Sequence, residues 1–151
     1  MKKIYLIIFL FIINCGYTPI NQIINKNYSI IEYEAVGNNQ VNTIIKKNFK
    51  SYNETNLEKQ FKIKISSQLI KTTNSKNKSG TNSNLSIKII VNLEILENNI
   101  NIKNLNFNEF VNYNSLDNKF ELKQYEKILI KNITNKILGK IHFNLSTLKW
   151  L

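Results

Sequence analysis

The stretch LSIKIIVNLEI, Leu85 to Ile95, decides the fold. Leu85, Ile87, Ile89, Val91, Leu93 and Ile95 take every second position, with polar residues between them and only Ile90 out of phase. A period of two places these six side chains on one face of a strand, as in a sheet with one face buried and the other in water. Asn98-Asn99 follows and predicts a tight hairpin turn. Beyond it, Ile100 and Ile102 lie in one phase while Leu105, Phe107, Val111 and Tyr113 lie in the other, so a β-bulge or bend is expected near Lys103-Asn104.

Upstream, Phe61, Ile63 and Ile65 alternate with Lys62 and Lys64, and Leu69 and Ile70 continue the strand until the composition turns polar at Thr72. Residues 73–84, TNSKNKSGTNSN, read as a flexible loop. Further out, YSIIEYEAV (Tyr28–Val36) is rich in β-branched and aromatic residues and ends at Gly37, which predicts another strand and a turn. Val41, Ile44, Ile45, Phe49 and Tyr52 then fall near helical spacing behind Asn38 and Asn39, either of which suits an N-cap.

On the C-terminal side, Leu122, Tyr125, Leu129, Ile133, Ile137 and Ile141 step by three or four, with Asn118 and Glu121 in capping-box spacing. Gly139 weakens this helix late, so Phe143 to Leu151 is expected as a frayed or separately packed tail. The expected fold class is α+β: a four-stranded, mostly antiparallel sheet with two helices packed on one face, in the order β-α-β-β-β-α. Residues 27–151 would form this single domain.

The N-terminus has a different character. Lys2 and Lys3 precede ten consecutive apolar residues, Ile4 to Ile13, and the run stops at Asn14-Cys15. A membrane-spanning helix needs roughly 20 apolar residues, so this run reads as a secretory signal over residues 1–14. Ile12-Ile13-Asn14-Cys15 is similar to the lipobox of bacterial lipoproteins, although Asn14 replaces the usual Gly, Ala or Ser. Cys15 is therefore the expected lipid-attachment residue and first residue of the mature chain, with residues 15–26 as a lipidated tether. Its sulfur cannot enter an internal disulfide, because the chain has one cysteine. Several acyl chains, at about 0.8 kcal/mol per buried methylene, would hold the protein at a bilayer.

The formal charge is +11, from 21 basic and 10 acidic residues, and all of the basic residues are lysine. Arginine is the preferred reader of phosphate and base edges, so its absence argues against a nucleic-acid partner. A lysine surplus still favours anionic partners such as phospholipid headgroups or lipid A phosphates. Catalytic parts are scarce: His142 is the only histidine, Asp117 the only aspartate, and no metal-ligand spacing or phosphate-cradling glycine loop can be assembled. The expectation is no enzyme, no cofactor and no metal. His142 reads as a surface or packing residue, Glu32 and Glu34 as a solvated strand face, and Trp150 as ordinary packing or disorder.

Cys15-Gly16-Tyr17-Thr18-Pro19-Ile20 resembles the Cys-Gly-aromatic-x-Pro-Leu start of the LptE family of lipopolysaccharide-assembly lipoproteins, with Ile in place of Leu. Tyr113 to Ile137 likewise resembles that family's last strand running into its C-terminal helix. The resemblance implies an outer-membrane lipoprotein, anchored on the periplasmic face through acylated Cys15, that plugs and helps assemble an LptD-like β-barrel and assists lipopolysaccharide delivery to the outer leaflet. Gly16 fits outer-membrane sorting, since an Asp there holds lipoproteins in the inner membrane of well-studied bacteria. Lys71, Lys76 and Lys78, in and beside the polar loop, are the candidates for contact with lipopolysaccharide phosphates. The competing expectations are an auxiliary lipoprotein of a lipid-transport ATPase system and a solitary periplasmic lipid-binding lipoprotein.

Overall fold

The computed structural model describes residues 27–53, 57, 59–76, 80 and 82–148. Cys15, Lys78, Trp150 and the expected signal and tether lie outside them. The chain order is β1 (Ser29–Gly37), α1 (Asn39–Phe49) running into a 3-10 turn (Lys50–Tyr52), β2 (Gln60–Lys76), β3 (Asn82–Glu97), β4 (Ile100–Asn114) and α2 (Lys119–Thr147). The four strands form one sheet in sequence order. β1 runs parallel to β2, joined through α1, and the other two pairings are antiparallel. This is the expected α+β architecture.

β3 is central, and its stripe is the heart of the core: Ile87, Ile89, Val91, Leu93 and Ile95 are each no more than 1% exposed. Burial of such side chains stabilises by roughly 1.5–3 kcal/mol apiece. Phe61, Ile63 and Ile65 of β2 and Phe107 and Tyr113 of β4 share that face, and Val41, Ile45, Ile137 and Ile141 cover it from the two helices. The outer face carries polar residues, among them the cross-strand ion pairs Glu32–Lys62 (2.7 Å) and Glu34–Lys64 (3.4 Å).

The local signals act as their chemistry demands. Asn38 caps α1, its side-chain oxygen accepting from the Val41 N–H at 3.1 Å, and Asn118 caps α2 by accepting from Phe120 and Glu121. Asn98 and Asn99 have φ of 49° and 66°, the two positive values of a type I′ turn, which matches the twist of the strands it joins. Glycine is at ease at the second of these positions and asparagine only tolerated. Asn99→Gly is therefore expected to stabilise the fold by about 0.5–1 kcal/mol, read as a rise in melting temperature. The register of β3 on β4 slips between Ile95 and Leu96, where Ile102 is the extra residue, one position from the expected bend.

Two expectations are corrected. The flexible loop over 73–84 is largely strand, because β2 continues to Lys76 and β3 resumes at Asn82. Side-chain rungs replace apolar packing there: Asn74 donates to Asn84 at 2.9 Å, and Ser75 and Ser83 hydroxyls bond at 2.8 Å. The tail expected from Phe143 is instead the last turns of α2, which runs to Thr147 with Leu145 fully buried. Gly139 is exposed on this helix and costs about 1 kcal/mol relative to alanine. Burying Ile141, His142 and Leu145 beyond it outweighs that cost.

Candidate functional site

Of the three candidate lysines, the structure describes Lys71 and Lys76. Lys71 stands on the helix-facing side of β2, and its ammonium pairs with Glu126 of α2. The same carboxylate accepts from the Tyr113 hydroxyl of β4 at 2.6 Å. Burial alone would push the Glu126 carboxyl up, but Lys71 and Tyr113 outweigh it and hold its pKa below the usual value. This contact joins β2, β4 and α2, so Lys71, although exposed, is already paired within the chain. Lys76 lies five residues on, roughly 15 Å along the strand, exposed beyond two register irregularities at the distal end. Lys71 and Lys76 therefore do not form one cluster.

A second polar contact ties the sheet to α2. Glu109 sits in the buried phase of β4, between Phe107 and Val111, and pairs with Lys136 (2.7 Å) and Lys140. These lysines hold its carboxyl below the ordinary range. Its position among Leu105, Phe107, Val111 and Tyr113 was a legible signal, since a lone acid in an apolar stripe needs a cationic partner.

At the opposite end of the sheet, His142 is 4% exposed and joins three elements. Its Nε2–H donates to Asn48 Oδ1 of α1 at 2.5 Å, and its Nδ1 accepts from the Tyr28 hydroxyl just before β1. The Tyr52 ring stacks on it with centroids 4.2 Å apart, and Phe49 meets it edge-on. Burial pulls the imidazole pKa down to about 4 and pushes the Tyr28 hydroxyl above its ordinary range. This is the packing role read from the sequence, in a deeper place. Leu138, Ile141, His142 and Leu145 follow core spacing, a signal that carries the helix past Gly139.

The long helix leaves a third surface. Lys119, Lys123, Lys127 and Lys131 recur every four residues along its first half, all exposed. Phe120 and Ile128 are interleaved with them at 68% and 56% exposure. Among the described residues no group of three or more His, Cys, Asp or Glu gathers for a metal, and no helix is long and apolar enough to cross a membrane.

No family model matches the chain and no curated protein matches it by sequence. Its architecture does have solved counterparts. It is similar to a minor lipoprotein from Acinetobacter baumannii, at 12% identity, covering 79% of this chain and 91% of that one, with a TM-score of 0.59. It is similar also to lipoprotein B from Nitrosomonas europaea, at 12% identity, 79% and 83% coverage and a TM-score of 0.53. Rare lipoprotein B from Shewanella oneidensis shares the architecture at 6% identity, 76% and 89% coverage and a TM-score of 0.50. At such identities the likeness is one of fold, and the chain carries the fold of these bacterial lipoproteins.

Proposed function

We propose that this chain is an outer-membrane lipoprotein of the LptE type, which plugs and helps assemble an LptD-like β-barrel and assists lipopolysaccharide delivery to the outer leaflet. The observation that carries the reading is the fold shared with lipoproteins that include rare lipoprotein B. The sequence motif at Cys15 to Ile20 supports it independently. Acylation of Cys15 would anchor the chain on the periplasmic face. The body then acts as a scaffold: a one-sided sheet stiffened by two helices, whose role is to bind and position, with no bond made or broken.

Lys76, together with Lys78, is the candidate contact for lipid A phosphates. Lys71 would have to leave Glu126 to join them, which removes a partly exposed ion pair worth about 0.5–1 kcal/mol. The direct test is depletion of the chain followed by unheated gel electrophoresis of the envelope, in which a folded barrel migrates faster than an unfolded one. The folded barrel band is expected to fall to a small fraction of its normal amount. A full complement of folded barrel after depletion overturns the assembly role.

A further inference from the structure

The exposed face of the first half of α2 combines uncompensated lysines with exposed bulky apolar side chains. α1 and the turn after it also carry lysines unpaired among the described residues, Lys46, Lys47 and Lys50, but no large exposed apolar residue stands among them. Among the described residues, five ion pairs tie the sheet together and to α2: Lys62 with Glu32, Lys64 with Glu34, Lys71 with Glu126, and Lys136 and Lys140 with Glu109. Lys119, Lys123, Lys127 and Lys131 have no ion-pair partner among the described residues. Both acids of α2 are turned elsewhere, since Glu121 accepts from the capping Asn118 and Glu126 from Lys71 and Tyr113.

Two bulky apolar side chains stand in this cationic face. Phe120 lies one turn before Lys123 and Ile128 one turn before Lys131, so each is flanked by an ammonium at i+3. The outer sheet face also exposes large apolar residues, Val36 and Phe110, each at 67%. Its charges, however, are largely paired within the protein, so it presents no comparable demand for a counter-charge.

We propose that this face of α2 is the surface that meets the protein partner, and that the partner surface is acidic, with apolar recesses that receive Phe120 and Ile128. The inference rests on the plug reading, under which that surface is the polar inner wall of the β-barrel. Four uncompensated lysines set orientation and speed of docking against an acidic wall, and the aromatic and aliphatic residues between them supply the buried anchors. The pole farthest from Asn27, where the chain leaves toward Cys15, would then be the end held by the barrel.

The test is site-specific photo-crosslinking of the full chain in intact cells, with p-benzoylphenylalanine placed at position 120 or 128 and, for comparison, at 36 or 110. A Lys123→Glu, Lys127→Glu variant is examined alongside by co-purification. Positions 120 and 128 are expected to yield an adduct containing the barrel while 36 and 110 yield little. The double reversal is expected to cut recovered barrel about tenfold at an unchanged melting temperature. Adducts chiefly from 36 and 110, adducts of lipid mass only at 120 and 128, or full barrel recovery by the double variant each overturn the inference. If the wild-type chain recovers no barrel at all, the plug reading has failed and the inference with it; barrel recovery without adducts at 120 and 128 defeats the inference alone.

Discussion

Gly37→Ala is expected to destabilise the fold by about 3 kcal/mol or more. Gly37 ends β1 with φ of +100°, a conformation that side-chain-bearing residues rarely adopt. A Cβ there would lie 2.0 Å from the Ser67 carbonyl oxygen, a backbone atom of the neighbouring strand. That oxygen cannot move aside, because it accepts from the Asn38 N–H at 3.0 Å at the start of α1. The buried Ser67 hydroxyl is committed too, donating to Asn42 Oδ1 at 2.7 Å. The substitution therefore forces the first strand off the sheet or the capping turn out of shape. Denaturant unfolding of the variant measures it, and a loss below about 1 kcal/mol would show that the β1–α1 turn relaxes far more easily than its bonding implies.

Acidification is expected to remove about 3 kcal/mol of stability through His142 alone. The folded-state pKa is pulled down to about 4 by burial, below an unfolded value of about 6.5. The unfolded chain therefore binds the proton more readily, and stability that is complete above pH 6.5 is lost as pH falls from there toward 4. About 2 kcal/mol of this falls between pH 6.5 and 5, a window above the midpoint of ordinary carboxylates, where each takes up only a small fraction of a proton. Since the chain has one histidine, the slope there reports chiefly His142. His142→Leu should remove most of the slope in that window, leaving the small contribution of Glu32, Glu109 and Glu126 near pH 5. At pH 7 it should also cost about 2–3 kcal/mol, because the buried Tyr28 hydroxyl and the Asn48 amide lose their shared partner. An unchanged slope in the variant would assign the acid sensitivity to another group.

Much of the fold was legible in the chain because its strongest signals are local. The alternation from Leu85 to Ile95, the caps at Asn38 and Asn118, and the Asn98-Asn99 turn each specify backbone geometry through a few neighbouring residues, and each is realised. The misreadings arise where tertiary contacts replace local pattern. Residues 73–76 and 82–84 look like a loop because their side chains are polar, yet they pair as strands because Asn74, Ser75, Ser83 and Asn84 bond across the ladder. The last turns of α2 look weak after Gly139, yet Leu145 is locked into the core.

The candidate site was less legible for the same reason. Lysine is so abundant here that no pattern of lysines marks which are neutralised, and Lys71 is separated from Lys76 only by Glu126, a partner 55 residues away in sequence. His142 reads as one polar residue in a lysine-bearing helix until Tyr28 and Asn48 converge on it from β1's approach and α1. The uncompensated face of α2 becomes visible only after the pairings of Lys136 and Lys140 with Glu109 set those lysines apart from the four that precede them.

The measurement that bears most directly on the proposed role is gentle detergent extraction of the envelope through a C-terminal tag on this chain, at low salt, with the co-purifying proteins quantified. The account predicts one large outer-membrane β-barrel in roughly equal molar amount, resistant to exchange once bound. Recovery of an inner-membrane transporter, or of the chain by itself, would contradict it.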